Sequence, residues 1–181
     1  MRRKCTPRRI LHGILGVLAS VVAAAFVFVL CQTPPESDPL PKDAADALAL
    51  RALPAFGAGA SLGEPAALLD QRGAACAYLY PVVQGGKTAA SIEVAQEDGA
   101  RTVEASFAPP GGERAVEVLG RPLDSGDVLY APGAVPFSFA VQNDDGTFFV
   151  AYSENGAVRQ IPAWSFWLAC KAQLAEQTFV Q

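Results

Sequence analysis

A long stretch without formal charge, residues 10–31, constrains this chain more than any other feature. As a helix rising about 1.5 Å per residue it would be about 33 Å long, enough to cross the roughly 30 Å hydrocarbon core of a bilayer. Residues 1–9 before it are basic and contain Arg2, Arg3, Lys4, Arg8 and Arg9. The next basic residue is Lys42. Because basic flanks stay in the cytoplasm, the sequence predicts a cytoplasmic stub, one transmembrane helix and an exported remainder.

Three fates are open for this apolar segment. A cleavable signal peptide has an apolar core of about 7 to 15 residues and a small-x-small site, whereas residues 26–30 here read FVFVL. A bacterial lipoprotein would be lipidated at Cys31, but Leu30 stands where that motif needs a small residue. The prediction is an uncleaved signal anchor in the cell membrane, with lipidation and cleavage as the alternatives.

The exported part, residues 32–181, has the size of one domain with a tether, and it is acidic. It contains all eighteen Asp and Glu residues but only nine of the fourteen Lys and Arg residues, so its formal net charge is −9. A domain of this charge repels phosphate backbones and anionic headgroups. We therefore predict no nucleic-acid partner.

Two of the four cysteines, Cys76 and Cys170, lie in the exported domain. Of the others, Cys5 lies in the stub and Cys31 at the outer end of the apolar stretch. Outside the cytoplasm a pair of this kind is more often a disulfide than two thiols. The sequence predicts a bridge from the first strand of a sheet to the C-terminal helix, with two buried reduced thiols as the alternative.

The beginning of the exported part is predicted to be a spacer followed by a helix. Residues 32–42 contain four prolines, which is typical of an extended linker, and the domain then covers residues 43–181. Residues 43–53 are predicted to form a short helix that ends before Pro54. For residues 61–69 a second helix and an extended lead-in are both open.

From Cys76 onward the apolar residues alternate, and Asp98-Gly99, Asp145-Gly146 and Asn155-Gly156 are hairpin signals. Strands are predicted at residues 75–83, 87–96, 102–108, 115–119, 135–142, 147–153 and 157–161. These elements indicate an α+β fold with a meandering antiparallel sheet. The inward-facing side chains are expected to include Ile92, Val94, Val103, Phe107, Phe139 and Val141.

One face of such a sheet needs a cover, and the end of the chain offers a helix. Pro162 suits the first position of a helix that runs to about Gln177. Its apolar stripe, which is expected to pack on the sheet, consists of Ala163, Trp167, Cys170 and Leu174. Trp167 is then structural, whereas Trp164 and Phe166 are candidates for a recognition surface at the rim.

Residue types exclude most catalytic and metal-binding chemistry in the exported domain. The single histidine, His12, lies in the apolar stretch, so no imidazole is available for a Ser-His-Asp site, a Cys-His site or a Cys/His zinc site. The acidic pairs are Glu97 with Asp98, Asp124 with Asp127, and Asp144 with Asp145. All three pairs stand in predicted turns, where Asp bonds its own backbone. We predict no catalytic residue, no metal site and no cofactor.

Residues 62–107 resemble a known family. The resemblance is carried by Gly63-Glu64-Pro65, a turn at residues 70–73, the run AYLYPV at residues 77–82, a Gly-Lys turn and SIEV at residues 91–94. This pattern resembles the propeptide and inhibitor-like domains associated with streptopain-type cysteine peptidases, although Ala90 stands where the family usually has a glycine. The resemblance implies a non-catalytic sheet-and-helix domain that binds or blocks a partner protein, and it assigns no functional residues.

Three functions are weighed for the exported domain. The first is a non-enzymatic protein-binding or inhibitor-like module at the bacterial cell surface, with a protein partner in the cell envelope. The second is a subunit of a larger envelope assembly. The third is a carboxylate-only enzyme that acts on a wall polymer, which needs two acids about 5 to 10 Å apart in one cleft. The residues favour the first.

Overall fold

A computed structural model describes residues 7–34, 38–97, 99–121, 123, 126–131, 133, 135–152 and 156–180. For residues 7–13, 97, 113, 114, 179 and 180 it describes the backbone only. Part of the basic stub with Cys5, and the predicted turn residues Asp98, Asp124 and Asn155, lie outside the described residues. The chain divides into unit 1, Met1–Thr33 with Lys171–Gln181, and unit 2, Pro34–Cys170.

Unit 1 is built on helix α1, Pro7–Leu30. Its large apolar side chains are exposed along the described length of the helix, and they include Ile14, Leu15, Val17, Leu18, Val21, Val22, Phe26, Val27, Phe28 and Leu30. Within the described part of the chain, no helix is both long enough and apolar enough to cross a membrane.

The carboxyl end of α1 is held by hydrogen bonds within unit 1. Lys171 Nζ donates to the carbonyl of Leu30 over 2.5 Å, and Gln32 Nε2 donates to the carbonyl of Phe28 over 3.1 Å. Lys171 belongs to the last helix, α4, Ala163–Val180, whose second half lies in unit 1. A cation at this position complements the negative end of the α1 dipole.

Unit 2 has nine strands within its described residues, and they form a single sheet. The strands are β1 Ser61–Leu62, β2 Ala66–Leu69, β3 Ala75–Gln84, β4 Lys87–Glu97, β5 Ala100–Ser106, β6 Val128–Tyr130, β7 Phe137–Gln142, β8 Phe148–Tyr152 and β9 Val158–Ile161. Their order is β5-β4-β3-β2-β6-β7-β8-β9, with β1 beside β3.

The predicted α+β class is confirmed, and the single antiparallel meander is corrected. Two antiparallel halves, β2 to β5 and β6 to β9, meet where β2 and β6 run parallel, with Leu68 opposite Leu129. Residues 61–69 contain the short strands β1 and β2, so the extended alternative is confirmed and the second helix is wrong. The helix predicted at residues 43–53 is α2, Lys42–Ala52. A 3₁₀-helix, Leu53–Phe56, follows it.

The strand predicted at residues 115–119 is wrong, because this segment is helix α3, Gly112–Leu119. Gly111 and Gly120 bound it in the left-handed region, with φ of 74° and 72°. The amide of Gly120 donates to the carbonyl of Val116, which closes the last turn over 2.8 Å. Ala115 and Val118 are buried while Val116 between them is exposed, which is helical spacing rather than alternation.

Helices cover both faces of the sheet, whereas the sequence predicts one covered face. The α3 face carries Leu68, Leu79, Leu129, Phe139 and Val141 together with Ala115 and Val118 of α3. The α4 face carries Tyr80, Ile92 and Val94 under α2, and Tyr130, Phe148 and Val150 under the first half of α4. Of the residues predicted to face inward, Ile92, Val94, Phe139 and Val141 are buried.

The other two residues predicted to face inward are exposed. Val103 is 41 % exposed and Phe107 is 83 % exposed. Both lie in or just after β5, which is the last strand at one end of the sheet. A side chain on an edge strand has a neighbouring strand on one side only, so alternation there does not guarantee burial.

Candidate functional site: a groove beside the open sheet edge

A cavity of about 340 Å³ lies on the α3 face of the sheet, next to the β4–β5 hairpin. Its apolar lining includes Leu68, Leu79, Leu129 and Phe139 of strands β2, β3, β6 and β7, and Ala108 and Pro109 of the segment after β5. Its polar lining consists of Ser91, Glu93, Glu104, Ser106 and Ser138. We call this cavity the β5 groove. Its volume falls at the small end of the range for ligand pockets, which suits one or two inserted side chains.

The β4–β5 hairpin places the two carboxylates of the groove side by side. Glu93 is directly opposite Glu104, and Ser91 is directly opposite Ser106. The Cβ atoms of such a cross-strand pair lie about 4.5 to 5.5 Å apart. Glu104 is exposed and Glu93 is half-buried, and Glu93 also acts electrostatically on Cys76, whose pKa is raised mainly by burial. The groove is therefore acidic at the end that opens to solvent.

Two of the three serines of the groove, Ser91 and Ser138, bond to the main chain of its walls. Ser91 is 6 % exposed, and its Oγ donates to the carbonyl of Ala108 over 2.9 Å. Ser138 Oγ donates to the carbonyl of Ala151 over 3.1 Å. Both hydroxyl protons are thus committed to main-chain carbonyls, and unit 2 has no histidine that would accept one. The bond from Ser91 fixes the chain that follows β5 against the groove.

Strand β5 forms the rim of the groove, and among the described residues no strand pairs with its outer side. It is the terminal strand of the sheet, and its residues 100–105 are exposed. A terminal strand presents unpaired backbone amides and carbonyls along its free edge. Just beyond the strand, the ring of Phe107 meets the buried ring of Phe56 edge-on, with centroids 5.2 Å apart. The edge therefore combines backbone groups, an exposed aromatic ring and an acidic groove.

Of the two residues predicted to form a recognition surface, Trp164 is exposed and Phe166 is buried. Trp164 is 70 % exposed, whereas Phe166 is fully buried. The Phe166 ring stacks on Phe148 with centroids 3.9 Å apart and planes 4° apart. Trp167, predicted to be structural, is half-buried and meets both rings edge-on. Phe166 is thus part of the core under α4 and does not form a recognition surface.

Among the described residues, Cys31, Cys76 and Cys170 are free thiols. The Cys76 thiol donates to the carbonyl of Leu68 over 3.4 Å and packs against the α3-face cluster. Cys170 lies in the α4-face cluster, where burial raises the pKa of its thiol to about 12. A disulfide between these two residues would need the Cα atoms of Cys76 and Cys170 to lie within about 7 Å of each other. The structure shows no bond between Cys76 and Cys170, and the bridge stays a prediction from the sequence.

Two of the carboxylates that the sequence singled out, Asp127 and Asp145, have structural partners. Asp145 Oδ1 accepts from the amide of Thr147 over 2.9 Å and from its hydroxyl over 2.6 Å, and these bonds lower the pKa of Asp145. Both oxygens of Asp127 accept from Arg121, over 2.7 Å each. Within the described part of the chain, no group of three or more His, Cys, Asp or Glu side chains is placed to hold a metal ion.

A second polar cluster joins α2 to β3 and is also structural. The Tyr80 hydroxyl donates to Asp46 Oδ1 over 2.7 Å, and Lys42 Nζ donates to both oxygens of the same carboxylate over 3.0 and 3.1 Å. The Tyr80 hydroxyl, followed by Lys42, lowers the pKa of Asp46, and burial raises the pKa of Tyr80. At neutral pH the Asp46 carboxylate therefore stays ionised and the Tyr80 hydroxyl stays protonated.

Glu93 and Glu104 were not among the candidate residues, although the sequence contains a signal for them. The hairpin signal Asp98-Gly99 predicts a two-residue connection, for which the numbers of paired residues add to 197, and the observed register sets Glu93 opposite Glu104 accordingly. Both glutamates alternate with valines that face the other side of the hairpin.

No family model matches the chain, and no curated protein or solved structure is significantly similar to it. The resemblance to streptopain-type propeptide domains stays a prediction.

Proposed function

We propose that this chain is a membrane-anchored extracytoplasmic module that binds a protein partner and is not an enzyme. The observation that carries the binding function is the exposed strand β5 beside a groove of about 340 Å³. Partner segments are commonly recognised by strand addition, in which backbone hydrogen bonds give affinity and adjacent pockets for alternate side chains give specificity. Unit 2 offers both parts at the same edge.

The membrane anchor in this proposal rests on the whole uncharged stretch of residues 10–31, of which the described side chains begin at Ile14. Val22 is 68 % exposed and Val17 is 65 % exposed, and the exposed apolar residues run to the end of α1. A soluble protein rarely exposes a continuous apolar surface of this size, whereas acyl chains would cover it in a bilayer. The basic residues before it support a cytoplasmic N-terminus.

Replacing Val21 and Val22 together by lysine is expected to abolish membrane retention. Each lysine at the centre of a membrane helix costs about 2.5 to 3.5 kcal/mol on the insertion scale. The measurement is alkaline carbonate extraction, in which we expect the wild type in the pellet and the double variant in the supernatant. The control is Val21→Leu with Val22→Leu, which should stay in the pellet. Wild-type protein in the supernatant, or a mature N-terminus after Ala25, would contradict the anchor.

The binding function predicts that a charge on the β5 edge abolishes partner capture. In Val103→Lys, a lysine replaces a valine that is 41 % exposed on β5, and capture of cross-linked partners from envelope membranes should fall about tenfold or more. The matched control is Val158→Lys, because Val158 is 38 % exposed on β9, the opposite edge strand. Equal capture by both variants and the wild type would show that β5 is not the binding edge.

A carboxylate-only hydrolase is the second candidate, since Glu93 and Glu104 line one groove. Glycosidases place two carboxyl groups about 5 to 9.5 Å apart across the scissile bond. Their general acid is held in apolar surroundings, however, whereas Glu104 is exposed on an edge strand. The deciding measurement is release of soluble sugar from purified wall polymer. Hydrolysis that is abolished by Glu104→Gln would favour the enzyme.

A further inference from the structure

We infer that the segment bound at β5 is an extended strand in which basic and apolar side chains alternate. This inference rests on the proposed function, because it names the chemistry of the partner at the same edge. It follows from the register of the β4–β5 hairpin, which gives the two sides of β5 opposite character.

Successive side chains of β5 point to opposite faces of the sheet. On the groove side lie Glu104, opposite Glu93, and Ser106, opposite Ser91. On the other side lie Arg101, which is exposed at the start of the strand, then Val103, opposite the buried Val94, and Ala105, opposite the buried Ile92. A strand added to the free edge of β5 continues this alternation, so every second side chain of the partner would lie over the groove.

The groove side favours a basic side chain. Glu104 and Glu93 line the groove together, and residues 32–181 have a formal net charge of −9 that attracts cations from a distance. Glu104 lies on β5 itself, so it is the carboxylate within reach of a lysine or arginine on an added strand. The ammonium or guanidinium group would then meet the exposed Glu104 carboxylate at the rim of the groove.

The opposite side favours an apolar side chain. Val103 and Phe107 are exposed there, and the Phe107 ring already contacts the buried Phe56. A partner residue that covers Val103 and Phe107 would remove a valine and an aromatic ring from water, and aromatic residues of this kind often dominate binding energy. The two faces of the edge thus select opposite side-chain types at alternate positions.

The charge also argues against a second copy of this chain as the occupant. Two copies would bring together two domains with a net charge of −9 each. In one antiparallel pairing of two β5 strands, Glu104 would stand opposite its own counterpart, which is unfavourable. A basic segment would meet neither the repulsion between two acidic domains nor the repulsion between two Glu104 side chains.

The test titrates fluorescent peptides of about nine residues, long enough to cover β5, into the full-length protein in non-ionic detergent. The probes are an alternating Lys-Val peptide, an alternating Glu-Val peptide and an alternating Lys-Ser peptide. We expect the Lys-Val peptide to bind at least tenfold more tightly than either of the others, by fluorescence anisotropy. A Lys-Val peptide with methylated backbone nitrogens should not bind, because it cannot form the backbone hydrogen bonds of strand addition.

Charge reversal at the groove supplies the matched variants. Glu104→Lys should lower the affinity for the Lys-Val peptide at least tenfold and raise that for the Glu-Val peptide. Glu176→Lys makes the same change of charge at an exposed position of α4 in unit 1, and it should leave both affinities within about twofold. Equal responses of the two variants would reduce the effect to net charge and overturn the inference.

The remaining outcomes separate this inference from the proposed function. Equal binding of the Lys-Val and Glu-Val peptides, or no binding of either, overturns the inference, while the proposed function stands if partner capture is still abolished by Val103→Lys. Capture that is insensitive to Val103→Lys overturns both. A dimer of the full-length protein that Val103→Lys converts to monomer would assign the edge to a second copy and overturn the inference alone.

Discussion

Replacing Phe166 by alanine is expected to lower the free energy of unfolding of unit 2 by about 3 to 5 kcal/mol. Phe166 is fully buried, and its ring lies 3.9 Å from Phe148 and 5.1 Å from Tyr130, measured between centroids. Its removal would leave a cavity in the middle of the aromatic cluster under α4. Since small domains have a total stability of about 5 to 15 kcal/mol, a large part of the molecules could unfold at physiological temperature.

The measurement is urea denaturation followed by tryptophan fluorescence, because Trp167 contacts Phe166 with centroids 4.9 Å apart. The matched control is Trp164→Ala in the same helix. Trp164 is 70 % exposed, two residues and about 200° around the helix from Phe166, so its loss should change stability by less than about 0.5 kcal/mol. A larger loss for Trp164→Ala than for Phe166→Ala would show that α4 packs through the opposite face.

The sequence predicted the cover helix and its general side, but it did not predict which aromatic residue is deepest. Ala163, Trp167 and Cys170 all belong to the buried side in the structure, as expected, and Leu174 is buried in unit 1. Phe166 falls within the same stripe, because an apolar helix face spans 100° or more. Periodicity places both Phe166 and Trp167 in the stripe, but it does not show which of these two adjacent aromatic residues is buried more deeply. The stacking partner, Phe148, lies on a strand whose position depends on the whole sheet.

The groove was only partly predictable for a similar reason. The local register of the β4–β5 hairpin follows from its turn, and that register places Glu93 beside Glu104. The open edge does not follow from local pattern, because it depends on the parallel pairing of β2 with β6 across about sixty residues of chain. A single meander would also have left β5 inside the sheet, between β4 and the strand expected at residues 115–119. The helical conformation of α3, together with the pairing of β2 with β6, leaves β5 at the edge.

Gly111 directly precedes helix α3, and Gly111→Ala is expected to destabilise unit 2 by about 2 to 4 kcal/mol. A Cβ atom at this position would lie 2.7 Å from the Cβ of Ala115 and 2.7 Å from Cδ1 of Leu123, both inside the core. The residue also has φ of +74°, which an alanine adopts only with strain. Crowding and backbone strain therefore add together at this one glycine.

The control at the other end of α3 separates these two contributions. Gly120 has nearly the same backbone conformation, with φ of +72°, but a Cβ atom there would meet no atom within 4 Å. Gly120→Ala should therefore show only the strain, about 1 to 2 kcal/mol, by the same urea denaturation. Adding Leu123→Ala to Gly111→Ala should relieve part of the crowding, so the double variant should be more stable than the sum of the single effects predicts. Equal losses for the two glycine variants, with additive behaviour in the double variant, would mean that α3 does not pack its first turn against Leu123.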